Sequence, residues 1–387
     1  MKKVSCILLL IALLLTLTAC GGKKTPDMSL MGQQETGSGT GTNVATEGNT
    51  GGSTSSIIRE DDLPNGCHYI LYSNGELVFS GADVEDNLKN LDVISNYIDS
   101  VTTVRLDAGV TAIGDSAFSD YARLQRVVVG ESVKEIGRNA FSGCVALKDV
   151  KLSDSVTSIG NRAFAGCVAL TGMDFGRSLT QFGTDVFDGC TSLSSFTIDS
   201  DLPAHAFEGL AGLKDVSFGD HVTKVSTYAF TNCTALKYIT FGPHVQTIDD
   251  YAFKGCTSLT SIRIPASVQT LGDECFSKCS SLSTIEIDEG GSLSIGYCAF
   301  SECTALKTVS LAEGVEKVGE KAFADCTALE KIVLPKTLKE IGYGILEGDE
   351  ALRVFAYRGN TNEWNKVTKN KNWNSGAWFN IEYNSKL

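Results

Sequence analysis

The stretch "GNRAFAGCVALTGM" at residues 160–173 decides the fold, because "GRNAFSGCVALKDV" at 137–150 spells nearly the same words 23 residues earlier. Self-similarity at that interval marks a repeated structural unit, so the chain is read as an array before it is divided into domains. Working outward, the phenylalanine of the "AF" pair recurs at Phe118, Phe141, Phe164, Phe187, Phe207, Phe230, Phe253, Phe276, Phe300 and Phe323, and Leu346 holds the slot in a degenerate last copy. The step is 23 residues throughout, except 20 between Phe187 and Phe207 and 24 between Phe276 and Phe300. A leucine follows six residues after each, from Leu124 to Leu352. Two columns held in step over eleven copies are not accidental.

Within a copy, "LKDVKL" at 147–152 alternates apolar and polar residues, which predicts a strand. A turn follows, then "VTSIG" at 156–160 predicts a second short strand ended by glycine. "NRAFAGC" at 161–167 spaces Ala and Phe for one helical turn, too short to stand alone. One such unit orders more backbone than its few apolar side chains can offset, so each copy depends on stacking against its neighbours.

The pattern A-F-x-x-C-x-x-L-x-x-(V/I)-x-(L/I/F), followed by V-x-x-I-G, closely resembles the bacterial leucine-rich repeats of the BspA-like family over residues 105–352. The resemblance implies a leucine-rich repeat solenoid: a β-rich, right-handed superhelix of short parallel β-strands with short helical turns, capped at both ends. It also implies an exported or lipid-anchored surface protein that acts in adhesion to host or neighbouring-cell components. It identifies no ligand.

The amino terminus fits export. Lys2 and Lys3 precede an apolar run from Ile7 to Leu17 that is too short to span a bilayer comfortably, which reads as a secretory leader over 1–19. Leu17-Thr18-Ala19-Cys20 resembles the lipobox of bacterial lipoproteins, which implies cleavage before Cys20 and a lipid on its sulfur. Residues 20–56 follow as a lipid-anchored, Gly/Ser/Thr-rich tether with almost no large apolar side chain. Such a segment has a root-mean-square span of roughly 33 Å. The chain carries 33 basic against 46 acidic residues, a formal net charge of −13, and loses two lysines with the leader. Nucleic acid and anionic headgroups are therefore poor partners.

A solenoid exposes apolar layers at its ends unless they are covered. "HYILYSNGELVFSG" at 68–81 places Ser73-Asn74-Gly75 between two apolar runs, a hairpin signal, and residues 57–104 read as an amino-terminal β cap. Residues 353–387 hold Trp364, Trp373 and Trp378 and read as an aromatic carboxyl-terminal cap, with sugar stacking as their alternative use.

Cysteine stands three residues after the phenylalanine in eight copies, from Cys144 to Cys326. Equivalent positions on stacked coils point the same way, which suits neither a good disulfide nor a four-ligand metal cage. A small buried hydrophobe is the expectation. Cys67, Cys275 and Cys298 lie off the column, and a bridge among them is left open.

No phosphate loop, no His-Glu-x-x-His and no hydrolase-like nucleophile context occurs, so neither an enzyme nor a cofactor is expected. His221 and His244 fall on the same turn of adjacent coils, a weak candidate metal pair. The outward columns of the first strand vary freely while the core columns do not. Asp215, Tyr238, Thr240, Ser261, Arg263 and Glu286 are taken from them as the candidate binding face. The expected partner is an extracellular or host protein, or a cell-surface polysaccharide, with membrane contact only through the lipid on Cys20. Two alternatives stand beside it: an envelope spacer without a specific ligand, and a glycan-binding accessory protein using the Trp-rich end. The short copy, "DSDLPAHAF" at 199–207, should notch the array.

Overall fold

A computed structural model of the protein describes residues 55–375 and 380–384. The leader at 1–19, Cys20, all but the last two residues of the tether, and Trp378 lie outside the described residues. Among the described residues no helix is long and apolar enough to cross a membrane.

The chain winds into a parallel β-solenoid of about 13 turns. Each coil contributes a strand to one sheet, turns, and in most coils contributes a second strand to another. In the first sheet Val104, Val127 and Val150 are partners on successive strands, as are Met173, Phe196, Val216 and Ile239. The register therefore equals the sequence repeat, and every core column becomes a vertical file. Side chains alternate across each strand, so Val216 and Phe218 are buried while Ser217 between them reaches the outer face.

The segment expected to make a helical turn is instead a run of hydrogen-bonded turns. The residue two before each phenylalanine has positive φ in all eleven copies, for example Ser116 at 56°, Tyr228 at 59° and Lys321 at 53°. This left-handed placement turns alternate N–H groups toward the next coil: Phe118 N donates to Ala140 O at 2.8 Å and Asp120 N to Ser142 O at 2.8 Å. A helical turn would aim those N–H groups along its own axis and leave the neighbouring coil unbonded. The cost of a left-handed L-residue, roughly 1–2 kcal/mol, is offset by a ladder of bonds between coils.

The phenylalanines stack. Ring centroids of Phe230 and Phe253 lie 5.2 Å apart and those of Phe253 and Phe276 lie 5.3 Å apart, with planes within 6°. The short copy disturbs this file, and Phe187 and Phe207 are 6.3 Å apart and tilted by 27°. The second sheet is absent there, stopping at Gln181–Phe182 and resuming at Lys224–Val225. Extra phenylalanines fill the gap: Phe182 lies 5.3 Å, Phe175 5.6 Å and Phe196 4.5 Å from the Phe207 ring. The three missing residues thus remove a strand of the second sheet, while the first sheet runs unbroken past them.

Both ends extend the winding beyond residues 105–352. His68–Tyr72 and Glu76–Ser80 form the expected hairpin, with Gly75 at φ +82° in its turn, and Glu76–Ser80 already pairs parallel with Thr103–Leu106. Ile57–Asp62 covers the outer edge antiparallel to His68–Tyr72. At the other end Val354–Tyr357 and Ile381–Tyr383 complete a separate four-stranded sheet, and Thr368–Lys369 ends the seven-stranded part of the second. A capping box on Asn360 and Glu363 starts the helical turn Thr361–Trp364.

Candidate interaction surfaces

The six residues chosen from the outward columns lie on the first strands of successive coils. Asp215 is paired with Tyr238 and Ser217 with Thr240; one coil on, Ser261 is paired with Thr284 and Arg263 with Glu286. Tyr238 is 52% exposed, with the Lys237 ammonium 5.2 Å above its ring, and Arg263 Nε donates to Asp288 Oδ1 at 2.9 Å. The structure gathers them as two groups of three. Tyr238–Thr240 ends a ten-stranded sheet and Ser261–Ile264 begins a separate two-stranded one, with half-buried Ile239 and Phe241 beside the seam. The pattern of core and surface positions contained no sign of that seam.

His221 and His244 each hydrogen-bond to a residue of the preceding coil. His221 Nδ1 lies 2.9 Å from Asp199 Oδ2, and His244 Nδ1 lies 2.8 Å from the Asp220 carbonyl, so each ring is tied back to the coil before it. No cluster of three potential metal-ligating side chains occurs among the described residues. Burial pushes the Asp199 carboxyl up, but the His221 N–H, the His221 ring and Arg177 outweigh it and hold the group below its usual range.

Trp364 and Trp373 meet edge to face, with ring centroids 5.6 Å apart, and both pack on Phe355. Trp364 is only 5% exposed, and Lys369 covers its ring at 4.6 Å. This packing leaves the Trp364 face closed to a sugar.

The cysteine column is buried except at half-buried Cys190, and every cysteine among the described residues is free. It is more than apolar filler. Cys144, Cys167, Cys233 and Cys326 each place Sγ 3.1–3.3 Å from the carbonyl oxygen of a phenylalanine 26 residues earlier, and their thiols donate to it. Burial pushes the thiols of Cys144 and Cys233 up to about 12, so neither is poised as a nucleophile. In the last copy Asp349 takes the slot, with both carboxyl oxygens buried and without a hydrogen-bond partner.

A second surface escaped the sequence reading. The glycine that ends "V-x-x-I-G" forms a column through Gly114, Gly137, Gly160 and Gly183, and again through Gly272, Gly296, Gly319 and Gly342. A Cβ on Gly137 would sit 2.7 Å from Asp115 N, so only glycine lets these coils approach. The column floors two troughs: one of 450 Å³ past Gly114, Gly137 and Gly160, and one of 540 Å³ past Gly272, Gly296, Gly319 and Gly342. Ser226 and Asp249 replace glycine between them, next to the short coil. On the same side His205, Tyr228 and Tyr251 stack with centroids 4.6 Å apart. The recurrence of the glycine was the available signal, read only as the end of a strand.

Parallel strands in register with a leucine-bearing repeat define a leucine-rich repeat solenoid. Residues 94–203, 200–293 and 289–368 match the BspA type leucine rich repeat region, so well over half of the chain is covered and it belongs to that family. No curated protein matches the chain. Among solved structures, a leucine-rich repeat protein from Bacteroides ovatus is 21% identical, covering 85% of this chain and 98% of that one, with a TM-score of 0.42. A leucine-rich repeat protein from Eubacterium ventriosum is 23% identical over 75% of this chain and 88% of that one, at a TM-score of 0.38. A leucine rich cell surface protein from Faecalibacterium prausnitzii is 25% identical over 81% of this chain and 98% of that one, at 0.35. The family assignment rests on the residues matched from 94 to 368.

Proposed function

We propose that the protein is an exported, lipid-anchored cell-surface module that binds an extracellular or host protein, or a polysaccharide, through the outward face of the first strands of its coils and catalyses nothing. Cys20 carries the anchor, residues 20–56 are the tether, and residues 57–387 present the surface. Two acyl chains or more on Cys20 make the anchoring stable where one is marginal.

The observation that carries this reading is the face itself. Asp215, Tyr238, Thr240, Ser261, Arg263 and Glu286 lie on successive coils in two neighbouring sheets, mixing charge, hydroxyls and an exposed aromatic ring over a broad surface. Recognition over such a surface is spread across many weak contacts and anchored by few, with Tyr and Arg the usual anchors. The acidic balance of the chain argues against nucleic acid as the partner. An array of extracellular proteins and glycans probed with the full chain tests the proposal. Saturable binding to a defined component supports it, and an array without any such component refutes it.

A further inference from the structure

The 540 Å³ trough lies away from the first-sheet face, along the outer side of the second sheet. Asp250, Asp273, Tyr297 and Glu320 stand on one side of the glycine floor, and Thr270, Ser294, Lys317 and Glu340 on the other. It is open along the stacking direction over several coils. Neighbouring coils there are paired as parallel strands, which sit about 4.7–4.9 Å apart.

Three features narrow the occupant. The first is charge. Lys317 is paired with Glu340 at 3.2 Å, and Lys369 Nζ donates to the carbonyls of Trp364 and Val367 at 2.7 Å, so the cations are committed to the protein itself. Asp250 Oδ1 accepts the Asp273 N–H at 2.7 Å and Asp273 Oδ1 accepts the Tyr297 N–H at 2.8 Å. These bonds fix each carboxylate while using one of its two oxygens. A wall of held carboxylates repels phosphate, sulfate and uronic acid, and accepts hydroxyl groups. The second feature is Tyr297, 42% exposed at the middle of the wall, a flat apolar face beside acceptors. The third is the repeat. A peptide lying along the axis rises about 3.3 Å per residue and drifts out of step with the coils, whereas one pyranose unit of an extended chain advances by close to one coil.

We propose that this trough is a second binding site, which takes an extended, uncharged polysaccharide along the stacking direction, with Tyr297 against a sugar ring and Asp250, Asp273 and Glu320 accepting from sugar hydroxyls. The trough at Gly114–Gly160 has the same floor but no aromatic residue on its walls, and its Arg138 is paired with Asp115 at 3.5 Å. It serves as a control within the molecule.

The test is affinity electrophoresis of the full chain through gels containing β-glucan, xylan or mannan, with polygalacturonate as the anionic control. At least one neutral polymer retards the protein, and Tyr297→Ala weakens that retardation tenfold or more while keeping the backbone N–H that Asp273 holds. Glu320→Ala weakens it too. Glu135→Ala in the other trough leaves it unchanged, and because Tyr297 and Glu320 lie off the first-sheet face, loss of retardation in their variants separates this site from the one proposed above. Thermal melting of each variant confirms the fold. The proposal is overturned if no neutral polymer retards the chain, if polygalacturonate retards it more, or if retardation survives Tyr297→Ala combined with Glu320→Ala.

Discussion

The thiol of Cys256 lies 3.3 Å from the carbonyl oxygen of Phe230, on the coil before it, and the same oxygen also accepts the N–H of Cys233 at 3.1 Å. One carbonyl thus closes a turn within its own coil and is tied to the next. Repetition of this pair through the column makes cysteine a weak hydrogen-bond donor as well as a filler of small volume.

Replacing Cys256 separates the two roles. Cys256→Ala removes both the sulfur and the donor and is expected to cost about 1–2 kcal/mol in chemical denaturation. Cys256→Ser keeps a donor and should cost less than alanine. A serine variant less stable than alanine, with full stability restored by Cys256→Val, would show that only volume matters there.

Asp349 gives the solenoid a pH dependence. Burial first, and then the Asp325 carboxylate, push its carboxyl up to about 8, against a smaller lowering influence of the Cys326 backbone. Because the folded state holds the proton more tightly than the unfolded chain, this group's contribution is fully present below the ordinary carboxylate range. It declines as pH rises toward 8, by at most about 1.4 kcal/mol per pH unit. Stability measured from pH 4 to pH 8 should fall accordingly. In Asp349→Asn and Asp349→Cys that part of the slope should vanish, and the cysteine variant should be the more stable protein at pH 7. An unchanged slope in both variants would contradict the assignment.

The short coil depends on its phenylalanines. Phe196 and Phe207 have ring centroids only 4.5 Å apart, where a strand of the second sheet is missing. Phe196→Ala should cost about 3–5 kcal/mol. Hydrogen exchange should show the added opening concentrated in the coils around residues 175–230, and a loss spread evenly over the molecule would argue against a local plug.

Much of this architecture was legible in the sequence because its cause is periodic. Phe118 to Phe323 and Leu124 to Leu352 mark the inward files, and the Asn74-Gly75 hairpin and the tryptophans marked the ends. What was not legible depends on contacts between coils. The left-handed residues are Ser116, Arg162, Tyr228 and Lys321 as readily as Asn139, since bonds to the next coil impose the conformation and no side chain advertises it. The S–H donor role of the cysteines follows from a carbonyl 26 residues away, and the seam after Thr240 follows from bonds that are not made. For the candidate face, the alternation of a strand was enough to choose Asp215, Tyr238 and Arg263 as outward residues. Their division into two groups was not.

The most direct measurement is the affinity of the full chain for a component captured on the protein and glycan array, compared with a variant carrying alanine at Asp215, Tyr238, Ser261 and Arg263. These side chains lie on the outward face of the first strands, so the variant should keep its melting temperature within a few degrees. Loss of a hundredfold or more in affinity, about 2.8 kcal/mol, is the predicted result. Unchanged affinity in a folded variant would contradict the claim that this face is where the protein binds.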